Sequence, residues 1–137
     1  MRLSLMACTV LAVGAMACSG DDDAVLMAGS YSATAFTVTP TGQSAINVLA
    51  AGGSLTLTIT PAGVTSGSLN LPASVTGGAA LVASMAGTAV QTGVQVTLTQ
   101  SADTFVRNLT WTVAADGLSV TAQSAGGATY TITLTRA

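Results

Sequence analysis

The sequence predicts an all-β domain, an eight-stranded antiparallel up-and-down barrel, and three observations carry that reading. From Gly29 onward apolar residues recur at every second position, the signature of strands buried on one face. Thr and Val, whose branching at Cβ suits a pleated surface, dominate these runs. Turn signals then interrupt them at short intervals: Pro40-Thr41-Gly42, Pro61-Ala62-Gly63, Gly77-Gly78, Ala102-Asp103, Asp116-Gly117 and Gly126-Gly127. Closing such a sheet on itself removes its exposed edges. A two-sheet sandwich satisfies the same pattern and stands as the alternative.

Three segments precede or make up this domain. Residues 1–17 read as a signal peptide: Met1-Arg2 is a minimal positive start, and Leu3 to Gly14 is an apolar stretch of signal length. It falls short of the roughly 20 residues that span a bilayer. Ala15-Met16-Ala17 supplies small residues before a cleavage bond, and Cys18 follows it. Two processing routes share that bond. Ordinary secretion leaves a free thiol at the new N-terminus. Lipoprotein processing attaches diacylglycerol to the Cys18 sulfur, and Ala15-Met16-Ala17-Cys18 resembles the lipobox of that route, with Ala15 where Leu is usual. The lipid is the favoured reading, because a lone thiol in an oxidising compartment is a liability. Cys8 leaves with the leader, so no disulfide framework remains.

Residues 18–28 then form the lipidated cysteine and a tether, in which Asp21-Asp22-Asp23 is a hydrated acidic run. In bacterial lipoproteins Asp directly after the cysteine resembles an inner-membrane retention signal. Ser19 stands there instead, which favours the outer membrane, and the acidic run is similar to surface-export signals in some lineages. Two or three acyl chains anchor stably, at about 0.8 kcal/mol per buried methylene.

The domain proper occupies residues 29–137, with strands expected near 29–38, 53–60, 65–71, 85–91, 94–100, 104–113, 118–124 and 128–136. Leu55, Leu57 and Ile59 alternate with threonines, as do Tyr130, Ile132 and Leu134. Val94, Val96 and Leu98 form one apolar face, Leu118, Val120 and Ala122 another, and Phe105, Leu109, Trp111 and Val113 a third. Residues 44–51 suit a short helical turn. Asp116-Gly117 between two alternating runs is a tight-hairpin signal. The small residues Ala33, Ala35, Ala79 and Ala80 either leave internal volume for a ligand or let the barrel fill with its own side chains.

If the last strand pairs with the first, Arg136 comes beside Gly29-Ser30-Tyr31. On these residues the chain resembles the lipocalin-like (calycin) barrels, whose first strand carries Gly-x-Trp and whose last carries an Arg packed over the aromatic ring. Tyr31 takes the place of the Trp. The resemblance implies a barrel-closing signature of Gly29, Tyr31 and Arg136, with the guanidinium on the ring contributing about 0.5–2 kcal/mol. It also implies a small apolar or amphipathic ligand.

Composition excludes most chemistry. The chain has no His, and its three cations are Arg2, Arg107 and Arg136, so Ser–His–Asp, Schiff-base and Ser–Lys catalysis lack their parts. No ligand set for a metal emerges, and no cofactor is expected. Asp103 and Asp116 lie in turn signals, where Asp bonds locally. A net charge of −2, with no basic stripe, argues against nucleic acid. Two residues remain as candidate ligand contacts, Arg107 and Trp111. Alternation puts Arg107 on the core face. There it pairs with a ligand carboxylate or with Asp103 or Asp116, unless a bulge or a rim position turns it outward. Trp111 reads as core packing or as a ligand platform. The function expected is therefore a non-enzymatic, envelope-anchored binding barrel, with a structural or surface-interaction module as its rival.

Overall fold

The computed structural model describes residues 28–137. The leader, Cys18 and the acidic tether therefore lie outside the described residues, as do the domain limits at 17 and 18.

The chain runs through β1 (Gly29–Pro40), β2 (Ile46–Asn47), β3 (Ser54–Ile59), β4 (Val64–Leu71), the single helical turn α1 (Ala73–Thr76) and β5 (Leu81–Ser84). It continues through β6 (Gly87–Thr92), β7 (Gln95–Gln100), a 3-10 turn (Phe105–Asn108), β8 (Thr110–Ala114), β9 (Gly117–Ala125) and β10 (Ala128–Arg136). Every ladder is antiparallel. β5 and β6 both pair with β4 and together occupy one place in the wall, while β2 is a short addition to β1. β10 returns to β1 in a ladder from Tyr31↔Arg136 to Pro40↔Ala128. The result is a closed, eight-stranded, antiparallel up-and-down barrel, and the closure sets the sandwich aside. This architecture is compatible with a lipocalin-like fold.

Alternation survives along most strands. Leu55, Leu57 and Ile59 point inward, as do Val96 and Leu98, Leu109, Trp111 and Val113, and Tyr130, Ile132 and Leu134. Each large side chain removed from water contributes about 1.5–3 kcal/mol, so this interior is the principal source of stability. Outside, hydroxyls take the part that charges play elsewhere. Thr34 and Thr135 pair across strands at 2.9 Å, Ser30 and Thr58 at 3.3 Å, and Ser124 and Thr129 at 3.4 Å. Cross-strand pairs of this kind contribute roughly 0.2–1 kcal/mol each.

Two bulges shift the inward parity. In β1 the register slips between Ala33 and Ala35, so Tyr31 and Phe36 are both buried although one position is odd and the other even. In β9 it slips opposite Thr131, where Ala122 takes φ 48° and faces solvent. Ala122 therefore does not continue the face of Leu118 and Val120. Ala35 also lies outside, and Ala79 and Ala80 are exposed loop residues, which leaves Ala33 alone of the four alanines against the core.

Three expected elements are corrected. The strand near 85–91 is β6, which starts at Gly87, and an unexpected strand, β5, precedes it across a break at Met85-Ala86, where the Met85 side chain turns into the core. The strand near 104–113 begins only at Thr110, because residues 105–108 coil into the 3-10 turn. Thr104 starts that turn, its hydroxyl accepting from the Val106 N–H at 3.3 Å. The segment 44–51 is a bridge at Ile46–Asn47 followed by a helical turn, closed by the Ala51 N–H donating to the Asn47 carbonyl at 3.1 Å. That turn carries Val48 fully into the core.

The registers give the barrel two unlike ends. One bears the tight hairpins at 60–63, 93–94 and 115–116, together with Gly29 and Ala137. The other bears the longer connections 41–53, 72–80 and 101–109 and the Gly126-Gly127 turn. Gly126 and Gly127 take φ 58° and 84°, the pair of positive values that a two-residue hairpin favours and side chains resist.

Candidate functional site

The structure separates the residues singled out from sequence into three places. Gly29, Tyr31 and Arg136 meet at the hairpin end. Tyr31 is the register partner of Arg136 and is buried. The Arg136 stem lies over Gly29, where an added Cβ would stand 3.4 Å from Cδ, and its Nη1 donates to the Ala28 carbonyl at 3.4 Å. The Ala137 N–H donates to the Ser30 carbonyl at 2.8 Å and extends the seam by one bond. The group thus sits on the line where the sheet closes.

Arg107 is elsewhere. The 3-10 turn carries it to the outside of the loop end, where Nη1 lies 3.3 Å from Asp103 Oδ1. Both side chains are largely exposed, so the pair contributes little. Trp111 is fully buried in the core, and its Nε1 has no hydrogen-bond partner among the described residues.

Neither residue lines the cleft that opens at the loop end. This cleft has a volume of about 350 Å³, within the range of small-molecule sites but near its lower limit. Its wall comes from Val38, Leu71, Val75, Leu81, Phe105 and Tyr130, with the Gly126–Ala128 turn on one side and Thr76 on the other. Each arrives by a local cause. Val38 and Tyr130 are opposite each other in the β1–β10 ladder. Leu71 and Leu81 are likewise opposite in β4–β5. Pro72 ends β4 and starts α1, which drops Val75 into the gap. The 3-10 turn swings Phe105 inward until its ring stacks on Tyr130, with centroids 4.0 Å apart and planes at 5°. Phe36 meets the other side of Phe105 at 6.4 Å.

The cleft holds little polarity. The Thr76 hydroxyl already donates to the Ala79 carbonyl at 2.8 Å, and the Gly127 carbonyl accepts from both the N–H and the hydroxyl of Thr41. Tyr130 is buried, and burial pushes its phenol above the ordinary value. Its hydroxyl makes no hydrogen bond to any described residue.

Sequence reasoning placed Phe105 and Tyr130 in the core without seeing that they share the rim of a cleft. It missed Val75, because residues 72–80 lack a period to read, and it did not join Leu71, at the end of the strand expected near 65–71, to Leu81. The one available signal was Pro72, which ends a strand before a short apolar segment.

Among the described residues no group of three or more Cys, Asp or Glu could hold a metal ion. No described helix is long and apolar enough to cross a membrane. Comparison with protein-family models, with curated proteins and with solved structures finds no match.

Proposed function

We propose that this chain is an envelope-anchored lipoprotein, tethered through Cys18 and favouring the outer membrane, whose barrel binds a small apolar or amphipathic ligand. One observation carries the binding half: the apolar cleft of about 350 Å³ at the loop end, with stacked aromatic rings in its wall. Apolar concavities with a few polar groups are the usual form of small-molecule sites. The ligand contacts are therefore Phe105 and Tyr130 rather than Arg107 and Trp111. The anchoring half rests on the sequence Ala15-Met16-Ala17-Cys18. The role is binding rather than catalysis, since the chain has no His or Lys and its described charges lie outside the cleft.

The rival reading, a surface module contacting glycans or proteins, calls for aromatic rings on an outer face. Among the described residues the exposed large apolar side chains are instead four valines, Val64, Val82, Val90 and Val94. Native mass spectrometry of the protein extracted from its own membrane tests both halves together. Expected are a diacylglyceryl mass on Cys18 and a retained small molecule lost on Phe105→Ala substitution. A bare Cys18 thiol removes the anchor. A protein with no adduct that also shows no uptake from an envelope lipid extract removes the ligand.

A further inference from the structure

The contents of the cleft restrict what can occupy it. No charged side chain lines it. Of the described charges, Arg107 and Asp103 face each other in solvent, while Asp116 and Arg136 lie at the opposite end of the barrel. An ionised group carried inside the cleft would lose its water and meet no counter-charge, which is strongly unfavourable. Of the side chains that line the cleft, Tyr130 alone carries a donor with no partner among the described residues. The Thr76 hydroxyl and the Gly127 carbonyl are committed to their own loops. Tyr130 is 7% exposed, and its hydroxyl is unpartnered among the described residues. Burial raises the phenol, so it stays protonated, and a donor, throughout the physiological range. A ligand with an acceptor for this hydroxyl gains a hydrogen bond that a ligand without one does not.

We infer that the cleft selects an uncharged, compact ligand whose apolar ring or short chain carries one hydrogen-bond acceptor, such as a ketone, ester or ether oxygen, that takes the Tyr130 hydroxyl. A compact carboxylate, whose charge would be carried into the apolar cleft, is excluded. The inference rests on the cleft being the ligand site proposed above, and deepens that reading by naming the ligand's chemistry.

Three ring compounds of near-equal size separate the possibilities: acetophenone, isopropylbenzene and benzoate, titrated into the purified protein and followed by saturation-transfer NMR. Acetophenone should bind best and isopropylbenzene roughly two- to tenfold more weakly, the ratio that one neutral hydrogen bond supplies. Benzoate should give no transfer. Tyr130→Phe should lower acetophenone to the level of isopropylbenzene and leave isopropylbenzene unchanged, which also reports that the cleft is intact. Should that variant not fold, the ranking of the three probes on the unaltered protein decides by itself. Equal binding of acetophenone and isopropylbenzene overturns the role of Tyr130, as does a preference that survives Tyr130→Phe. Benzoate binding as well as acetophenone overturns the exclusion of charge. If none of the three binds, the cleft itself is not a ligand site, and the reading beneath falls with the inference.

Discussion

Single residues decide how closely the strands of this barrel approach. At Gly117 an added Cβ would fall inside the van der Waals shell of the Leu134 carbonyl oxygen, a backbone atom that cannot swing aside. Gly78, in the exposed loop after α1, has nothing within 4 Å. Gly117→Ala should therefore cost about 3 kcal/mol, and Gly78→Ala less than about 0.5 kcal/mol, as read by urea denaturation. Equal effects would contradict the close approach. The sequence marked Gly117 for a different reason, as a turn residue. In the structure the turn is Ala115-Asp116, and Gly117 opens β9 opposite Ala114. Arg107 was harder to read. Its odd position continued the alternation of Leu109 and Trp111, and period two cannot reveal that a 3-10 turn has intervened. The Thr104 hydroxyl, bonded to the Val106 N–H and to the Gln100 side chain, is what bends the chain there.

Elements in this fold stop pairing before their neighbours do, and glutamine side chains bridge the gaps. β8 and β9 pair only from Thr112↔Ser119 to Ala114↔Gly117, since the β9 bulge draws the two apart. The Gln123 amide then reaches Thr110, accepting from its N–H at 2.8 Å and donating to its carbonyl, as a backbone peptide would. Gln100 does the same for the break between β5 and β6. It is buried, donates to the Ser84 carbonyl at 2.6 Å and accepts from the Thr104 hydroxyl. Gln123→Ala leaves both Thr110 groups unpaired and should destabilise the protein by about 1–3 kcal/mol. Hydrogen exchange should show the Thr110 amide accelerated most, with amides along the β1–β10 seam following only the global change. Uniform acceleration would mean that the bridge carries no local load. The strands themselves were legible because burial on one face imposes their period. The breaks were not, because a bulge or a glutamine bridge leaves no trace in hydrophobic alternation.

At the scale of the whole molecule, closure is the governing fact, and its seam joins the first described strand to the last. The Ala137 N–H already donates to Ser30, so residues 29 and 137 lie side by side. A permuted chain that links them through a short Gly/Ser segment and opens at Gly93-Val94 should keep the barrel, because permutation is tolerated at exposed tips with adjacent termini. Unchanged far-ultraviolet dichroism and cooperative melting would confirm it, and a molten, non-cooperative species would refute it. Strand count and closure could be anticipated from eight alternating runs and from Gly29, Tyr31 and Arg136. The cleft could not, since it is made where residues 72–80 and 101–109 depart from any regular period.

The polarity of the barrel has a consequence for how it meets its surroundings. The chain enters at Gly29, among the tight hairpins, and the cleft opens among the long loops at the far end. The mouth of the cleft thus lies at the end of the barrel opposite Gly29. The seam that closes the barrel and the cleft that opens it therefore stand at opposite ends, and the cleft is reached without passing the tight hairpins.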